Sequence, residues 1–385
     1  MRIAILTQPL KNNYGGLLQA YALQKVLKDM GHEVWTVDRP FKTKKIKRLL
    51  SICKRLILHY LFQKNVLILA SPTVKEEKII AQHTNRFINE YILRTEKINS
   101  KNKFSQLKKY DFDAYIVGSD QVWRMEYTPG MGAFFLDFVS KRTNIKRIAY
   151  AASFGVDQWE FSTKLTKRYT HLAKKFDSIS VREDSAVTLC KENLECDTVQ
   201  LIDPTLLLEQ KDYLQLVERD SIPKKKGIVM SYVLDRTTEK NIIIKKVSSY
   251  LNLTPLFIMP EKNFSEVGIK AINHCVFPPV TKWLRGFIDA DFVVTDSFHG
   301  TVFSVIFNIP FITIGNHDRG LTRFTSFLKL FGLQSRLILS ASDLTSKIMD
   351  EKINFEQVNQ IRKKEQQKAF SFLLNKLTSH HENVS

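Results

Sequence analysis

TDSFHGTVFSVIFNIPFITIG, Thr295 to Gly315, is the stretch that decides the fold. The run leading into it, DFVVTD, has the composition of a buried strand, TVFSVIFN that of an apolar helix, and Ser297 to Gly300 form the turn between them. PFITIG then returns as a strand. Strands alternating with helices in this way build a parallel sheet covered on both faces. Ligands of such sheets bind beyond the carboxyl ends of the strands, where helix N-termini offer free N–H groups to anions. His299 therefore falls where α/β proteins place their chemistry, although alone it reads equally as a histidine held in a turn by backbone hydrogen bonds. Just downstream, HDRGLTRF sets Arg319 and Arg323 around a glycine ahead of the next helix. They are either two cations aimed at the same cleft or two charges on one solvated helical face.

Working outward, the same alternation runs from about Gly227: GIVMSYVL, a helix around Lys240 to Leu251, TPLFIM, the helix TKWLRGFIDA, then the quoted stretch and RFTSFLKLFGL. A first series occupies the amino-terminal half, with RIAILT, LLQAYALQKVLKDM, EVWTVD, DAYIVGSD, IKRIAYAASFG, SISVRED and TVQLIDPTLLL. The pattern predicts an α/β protein of two Rossmann-like domains with parallel sheets and a ligand cleft between them. The expected division is residues 1–208, a polar linker region 209–226, a second domain 227–353, and a terminal helix and tail 354–385. Residues 41–109 read as a basic, helical insertion in the first domain. Within it, KEEKIIAQHTNRFINEYI is expected as one helix with Ile79, Ile80, His83, Phe87 and Tyr91 on a single face.

Three further strand ends carry candidate chemistry. NNYGG places Asn13, Tyr14, Gly15 and Gly16 between the first strand and first helix, where glycines let a backbone approach a ligand; a plain tight turn is the alternative. The spacing is not the GxGxxG of dinucleotide sites. DAYIVGSDQVW gathers Gly118, Ser119, Asp120, Gln121 and Trp123, a set suited to a sugar or phosphate, with Ser119 and Asp120 equally able to cap a helix. SVRED puts Arg182 at a strand end, as an anion clamp or as the partner of Glu183, Asp184 or another carboxylate. The aspartate of DPTLLL reads as the cap of a structural corner.

Composition narrows the classes. The chain has 385 residues, 44% hydrophobic, enough for two cores. Its net charge of +19 concentrates in Phe41 to Arg55, Lys101 to Lys109 and Pro223 to Gly227. Such runs suit anionic substrates or an acidic membrane face, or are merely solvated loops. No helix-turn-helix, zinc-finger or aromatic RNA-binding signature accompanies them, which argues against nucleic acid. The four cysteines show no CxxC pairing and no spaced ligand cluster marks a metal site. The amino terminus enters a strand without a leader signature, and the apolar run Leu56 to Ala70 is too short and too interrupted to span a bilayer. A cytoplasmic protein is expected.

NYGG with LQAYALQ, IVGSDQVW, SVRE, DPTLL, TDSFHGTVFS with PFI, and the closing RFTSFLKLFGL occur in the order found in polysaccharide pyruvyl transferases, and the chain resembles that family over nearly its whole length. The resemblance implies a GT-B-like fold, phosphoenolpyruvate as donor substrate with no cofactor, and a ketal-linked pyruvate on a saccharide acceptor, lipid-linked or nucleotide-linked. It implies that Arg182 and His299 face the donor as catalytic residues, with NYGG and GSDQ lining the amino-domain side and Arg323 adding charge. Some members carry arginine two positions before the histidine, where this chain has Ser297, so that contact is missing here or is supplied by Arg319 or Arg323. The basic insertion is expected to hold the enzyme peripherally against the inner face of the membrane. The rival classes are a GT-B-type sugar-nucleotide glycosyltransferase and a non-catalytic saccharide-binding relative.

Overall fold

A computed structural model describes residues 1–40, 53–57, 60–63, 70–140, 144–315 and 320–378. Two parallel sheets form the frame. The first has strand order β2-β1-β3-β4-β5-β6, built from β1 (Arg2–Leu6), β2 (Glu33–Thr36), β3 (Ala114–Val117), β4 (Lys146–Ala152), β5 (Ser178–Val181) and β6 (Val199–Gln200). The second has order β11-β10-β9-β7-β8, from β7 (Ile228–Tyr232), β8 (Thr254–Phe257), β9 (Phe292–Thr295), β10 (Phe311–Ile314) and β11 (Leu337–Ile338). In both, the central strands are buried along their whole length (β3, β4, β7, β9 and β10), as sheets covered on two faces require. The two-domain, parallel-sheet expectation holds.

Local chemistry sets the element ends. Helix α1 (Tyr14–Asp29) starts at Asn13, whose side chain accepts from the Gly16 N–H, and the chain turns after it at Gly31 with φ +85°. Two expectations need correction, and the corner read at DPTLLL is present: the strand of TVQLIDPTLLL is confined to Val199–Gln200, and Asp203 accepts from the Thr205 N–H and turns the chain into a short, fully buried helical turn at Pro204–Leu207. The single helix expected over KEEKIIAQHTNRFINEYI breaks at Ala81 into α2 (Val74–Ile80) and α3 (Gln82–Tyr91), which turns Ile79 out to solvent and buries Thr84 and Ile88 instead. The stretch 209–226 contains a helix, α4 (Gln210–Arg219), with Tyr213, Leu216 and Val217 buried. Of the basic run Phe41 to Arg55, residues 41–52 lie outside the described residues.

The last helix, α5 (Phe355–Thr378), returns to the first domain. Its buried stripe is Val358, Arg362, Gln366, Ala369, Leu373 and Leu377, at helical spacing. Arg362 donates from Nε to the Leu206 carbonyl (3.2 Å) and from Nη2 to that of Leu208; Gln366 donates to Leu206 (2.8 Å), and Lys146 on β4 to the Lys376 carbonyl (3.1 Å). The domains also touch directly. Tyr14 at the start of α1 stacks on Trp283, with ring centroids 5.7 Å apart, and its hydroxyl donates to the Pro278 carbonyl. Among the described residues no helix is long and apolar enough to cross a membrane, and all four cysteines are free thiols.

Candidate functional site

The carboxyl ends of β1, β3, β7 and β9 open on a cavity of about 370 Å³ between the domains, within the range of small-molecule sites. Gln8, Lys11, Asn13, Asp120, Gln121 and Tyr127 line it from the first domain; Leu234, Asp296, Ser297, Phe298, His299 and Arg323 line it from the second. Two helix N-termini meet there: α1, and α6 (Phe298–Ile306), which is capped by Ser297 through the Gly300 N–H. Their dipoles favour an anion.

His299 occupies the first turn of α6 and is nearly buried, at 5% exposure. Its ring presses on Gly15, where an added Cβ would stand 2.2 Å from His299 Cγ and Nδ1, so this glycine is required by contact and not by backbone conformation. Its Nε2 lies 3.6 Å from Oδ2 of Asp203. Asp203 is wholly buried and held by four donors: Oδ2 accepts from Ser119 Oγ (3.0 Å) and Arg182 Nη1 (3.0 Å), Oδ1 from the Thr205 N–H and hydroxyl. Burial alone would raise its pKa; the donors, His299 and Arg182 together hold it well below the usual carboxylate range.

Arg182 stands behind this wall. It pairs with Asp203, with Glu183 (Nε to Oε1, 3.5 Å) and with Asp120 (Nη2 to Oδ1, 3.8 Å), and its guanidinium lies 4.2 Å from the Phe298 ring centroid. Burial opposes its charge, and the three carboxylates restore it and more. The ion-pair alternative open in the sequence is what the structure contains: Arg182 is not on the cavity surface, and Phe298 stands between. Arg323 is on that surface. Burial first, then the charge of Arg182, bring its pKa down to about 10, and its Nε donates to the Gly320 carbonyl. At the rim Lys11 is exposed. Asp296, by contrast, is already engaged by the Leu234 and Asp235 N–H groups and by Lys240 Nζ at 2.6 Å. Asp120 holds φ +73°, a left-handed conformation of the kind found where backbone is fixed by function.

The structure thus brings Asn13, Asp120, Gln121, Ser297, His299 and Arg323 to one cavity, with Gly15 under the histidine and Ser119 and Arg182 in the layer behind. Gly16 serves the α1 cap. Tyr14, Gly118 and Trp123 are packing residues: Gly118 fits against Ile5 and Leu23, and Trp123 is fully buried, donating to the Phe134 carbonyl and stacking on Phe135. Arg319 lies outside the described residues. Sequence reasoning missed Gln8 and Asp296, which follow strand ends directly and obey the same rule as the others. It also gave Asp203 only its capping role.

Two parallel-sheet domains with a ligand cavity between their strand ends define the GT-B-like architecture. Solved structures of that shape include the S. aureus MnaA–UDP complex (TM-score 0.54, 11% identity, 100% of each chain covered). A putative UDP-N-acetylglucosamine 2-epimerase from Listeria monocytogenes is similar to the same degree (0.53, 10% identity, 100% of this chain and 97% of that one). At these identities the likeness speaks for the fold. The model of the polysaccharide pyruvyl transferase family matches residues 13–318, and the chain belongs to that family. A search of curated proteins gives no match.

Proposed function

We propose that the protein is a pyruvyltransferase that moves the enolpyruvyl group of phosphoenolpyruvate onto a saccharide, forming a pyruvate ketal during surface polysaccharide synthesis. The observation that supports this best is that His299 and Arg323 line one cavity, which two helix N-termini share. Phosphoenolpyruvate is small and highly charged, and Arg323, Lys11 and the helix ends are the groups suited to its phosphate and carboxylate. The chemistry then needs one proton moved well. The enol carbon takes a proton and becomes a methyl group, one sugar hydroxyl bonds to the neighbouring carbon, phosphate leaves with the C–O electron pair, and a second hydroxyl closes the ketal. Of the two hydroxyl protons released, one balances the proton given to carbon and the other leaves with phosphate. His299 is the acid and base for these transfers. No cofactor enters the reaction as written. The acceptor is a lipid-linked or nucleotide-linked saccharide, and the setting is the cytoplasmic face of a membrane, whose anionic surface attracts the positive charge that the sequence concentrates in Phe41 to Arg55.

A donor titration tests the proposal, with phosphoenolpyruvate and UDP- and GDP-sugars compared by thermal shift and calorimetry. Phosphoenolpyruvate alone should stabilise the protein, and Arg323→Gln should abolish the effect. Stabilisation by a sugar nucleotide and none by phosphoenolpyruvate replaces the proposal with glycosyl transfer. Binding of a saccharide and of neither donor leaves a non-catalytic relative.

A further inference from the structure

Asp203 follows the last strand of the first domain and His299 opens a helix of the second, so their contact exists only where the domains meet. Three features give it direction. Nε2 of His299 is sealed from solvent with no hydrogen-bond partner within range, and the Asp203 carboxylate is the group it faces. Nδ1 is on the ring edge that packs over Gly15, and His299 is one of the residues that line the cavity. Asp203 itself cannot swing away, because Ser119, Arg182 and both donors of Thr205 hold its two oxygens. A ring edge at 3.6 Å from such a fixed acceptor closes to a hydrogen bond with a small rotation.

We infer that Asp203 is the positioning residue of His299: it accepts from Nε2–H, fixes the imidazole in that tautomer, and leaves Nδ1 as the nitrogen that exchanges the proton with substrate. This deepens the reading of His299 as acid and base and rests on it. Arg182 acquires a role in the same stroke, as the counter-charge that keeps Asp203 ionised and in place, and the pairing is assembled by docking of the two domains.

The test is a long-range proton–nitrogen correlation spectrum of histidine-labelled protein, recorded where the ring is neutral, with the His299 signals assigned by their loss in His299→Gln. Wild type should show the Nε2–H tautomer. In Asp203→Asn the amide oxygen is claimed by the two Thr205 donors, so the NH₂ group takes the place of Oδ2 and donates toward Nε2. The proton should move to Nδ1, and kcat should fall by roughly 100- to 10,000-fold with donor affinity little changed. A wild-type ring in the Nδ1–H tautomer overturns the inference, and that result needs no folded variant. An unchanged tautomer or an unchanged kcat in a folded Asp203→Asn overturns it too. Because the spectrum involves no donor, it stands or falls separately from the titration with phosphoenolpyruvate.

Discussion

Replacing Gly15 with alanine should damage the site while improving the helix that carries it. Gly15 lies in the first turn of α1 with no need for positive φ. Within a helix alanine is favoured over glycine by about 1 kcal/mol. The new Cβ, however, would sit 2.2 Å from two ring atoms of His299 and 2.5 Å from its Cβ, where ordinary contact begins at 3.4 Å. Ring and helix must separate by more than about 1 Å, a misplacement that costs on the order of 100-fold in rate when reacting groups are involved. Strain of this kind costs roughly 1 to 3 kcal/mol, which cancels or exceeds the helical gain. The sign of the stability change is therefore the assay. By urea denaturation, Gly15→Ala should be neutral or destabilising in wild type and stabilising, by up to about 1 kcal/mol, in a His299→Gly background, where ring and Cβ are both gone. Equal effects in both backgrounds, or full transfer activity in Gly15→Ala, would refute the contact.

Arg182→Met should cost about 3 to 5 kcal/mol, because it leaves Asp203 and Glu183 buried without their cation; a near-neutral denaturation midpoint would show that the ionic lattice does not support the fold. Trp123→Phe removes a buried donor to the Phe134 carbonyl, so stability should fall by about 1 to 2 kcal/mol while donor affinity, measured by calorimetry, stays as it was. Asp203 has a folded pKa below its ordinary value, so the stability it contributes is present above about pH 4 and is lost as the pH falls further. Urea midpoints at pH 5 and pH 3 should accordingly fall more steeply for wild type than for Asp203→Asn.

The elements that were legible in the sequence are those whose signal is local. Buried β-branched runs such as FVVT and FITI announce central strands, and Ser297 and Asn13 announce the helix starts that make the cavity. His299 could be placed because strand, turn and helix adjoin. Asp203 could not, since its partner belongs to the other domain and nothing near DPTLLL encodes that meeting. Arg182 shows the same gap from the other side: a strand-end guanidinium reads as an anion clamp or as an ion-pair partner, and only the three carboxylates around it decide. Trp123 followed a cluster of polar residues and was grouped with them, although its neighbours in space are Phe135 and Phe154. The break at Ala81 escaped because apolar periodicity carries across it, and the residues that decide which face is covered lie elsewhere in the chain.

The homecoming of α5 means that the first domain is made from two stretches of chain separated by the whole second domain. During translation residues 1–208 leave the ribosome well before the helix that finishes their core, and at about 5 to 20 residues per second the wait is roughly 10 to 30 s. Through that interval the carbonyls of Leu206 and Leu208 and the surface around Tyr150, later covered by Arg362, Gln366 and Phe372, stand open. A nascent chain stalled anywhere in the second domain should therefore expose a sticky, half-built first domain, a natural target for chaperones until the closing helix arrives.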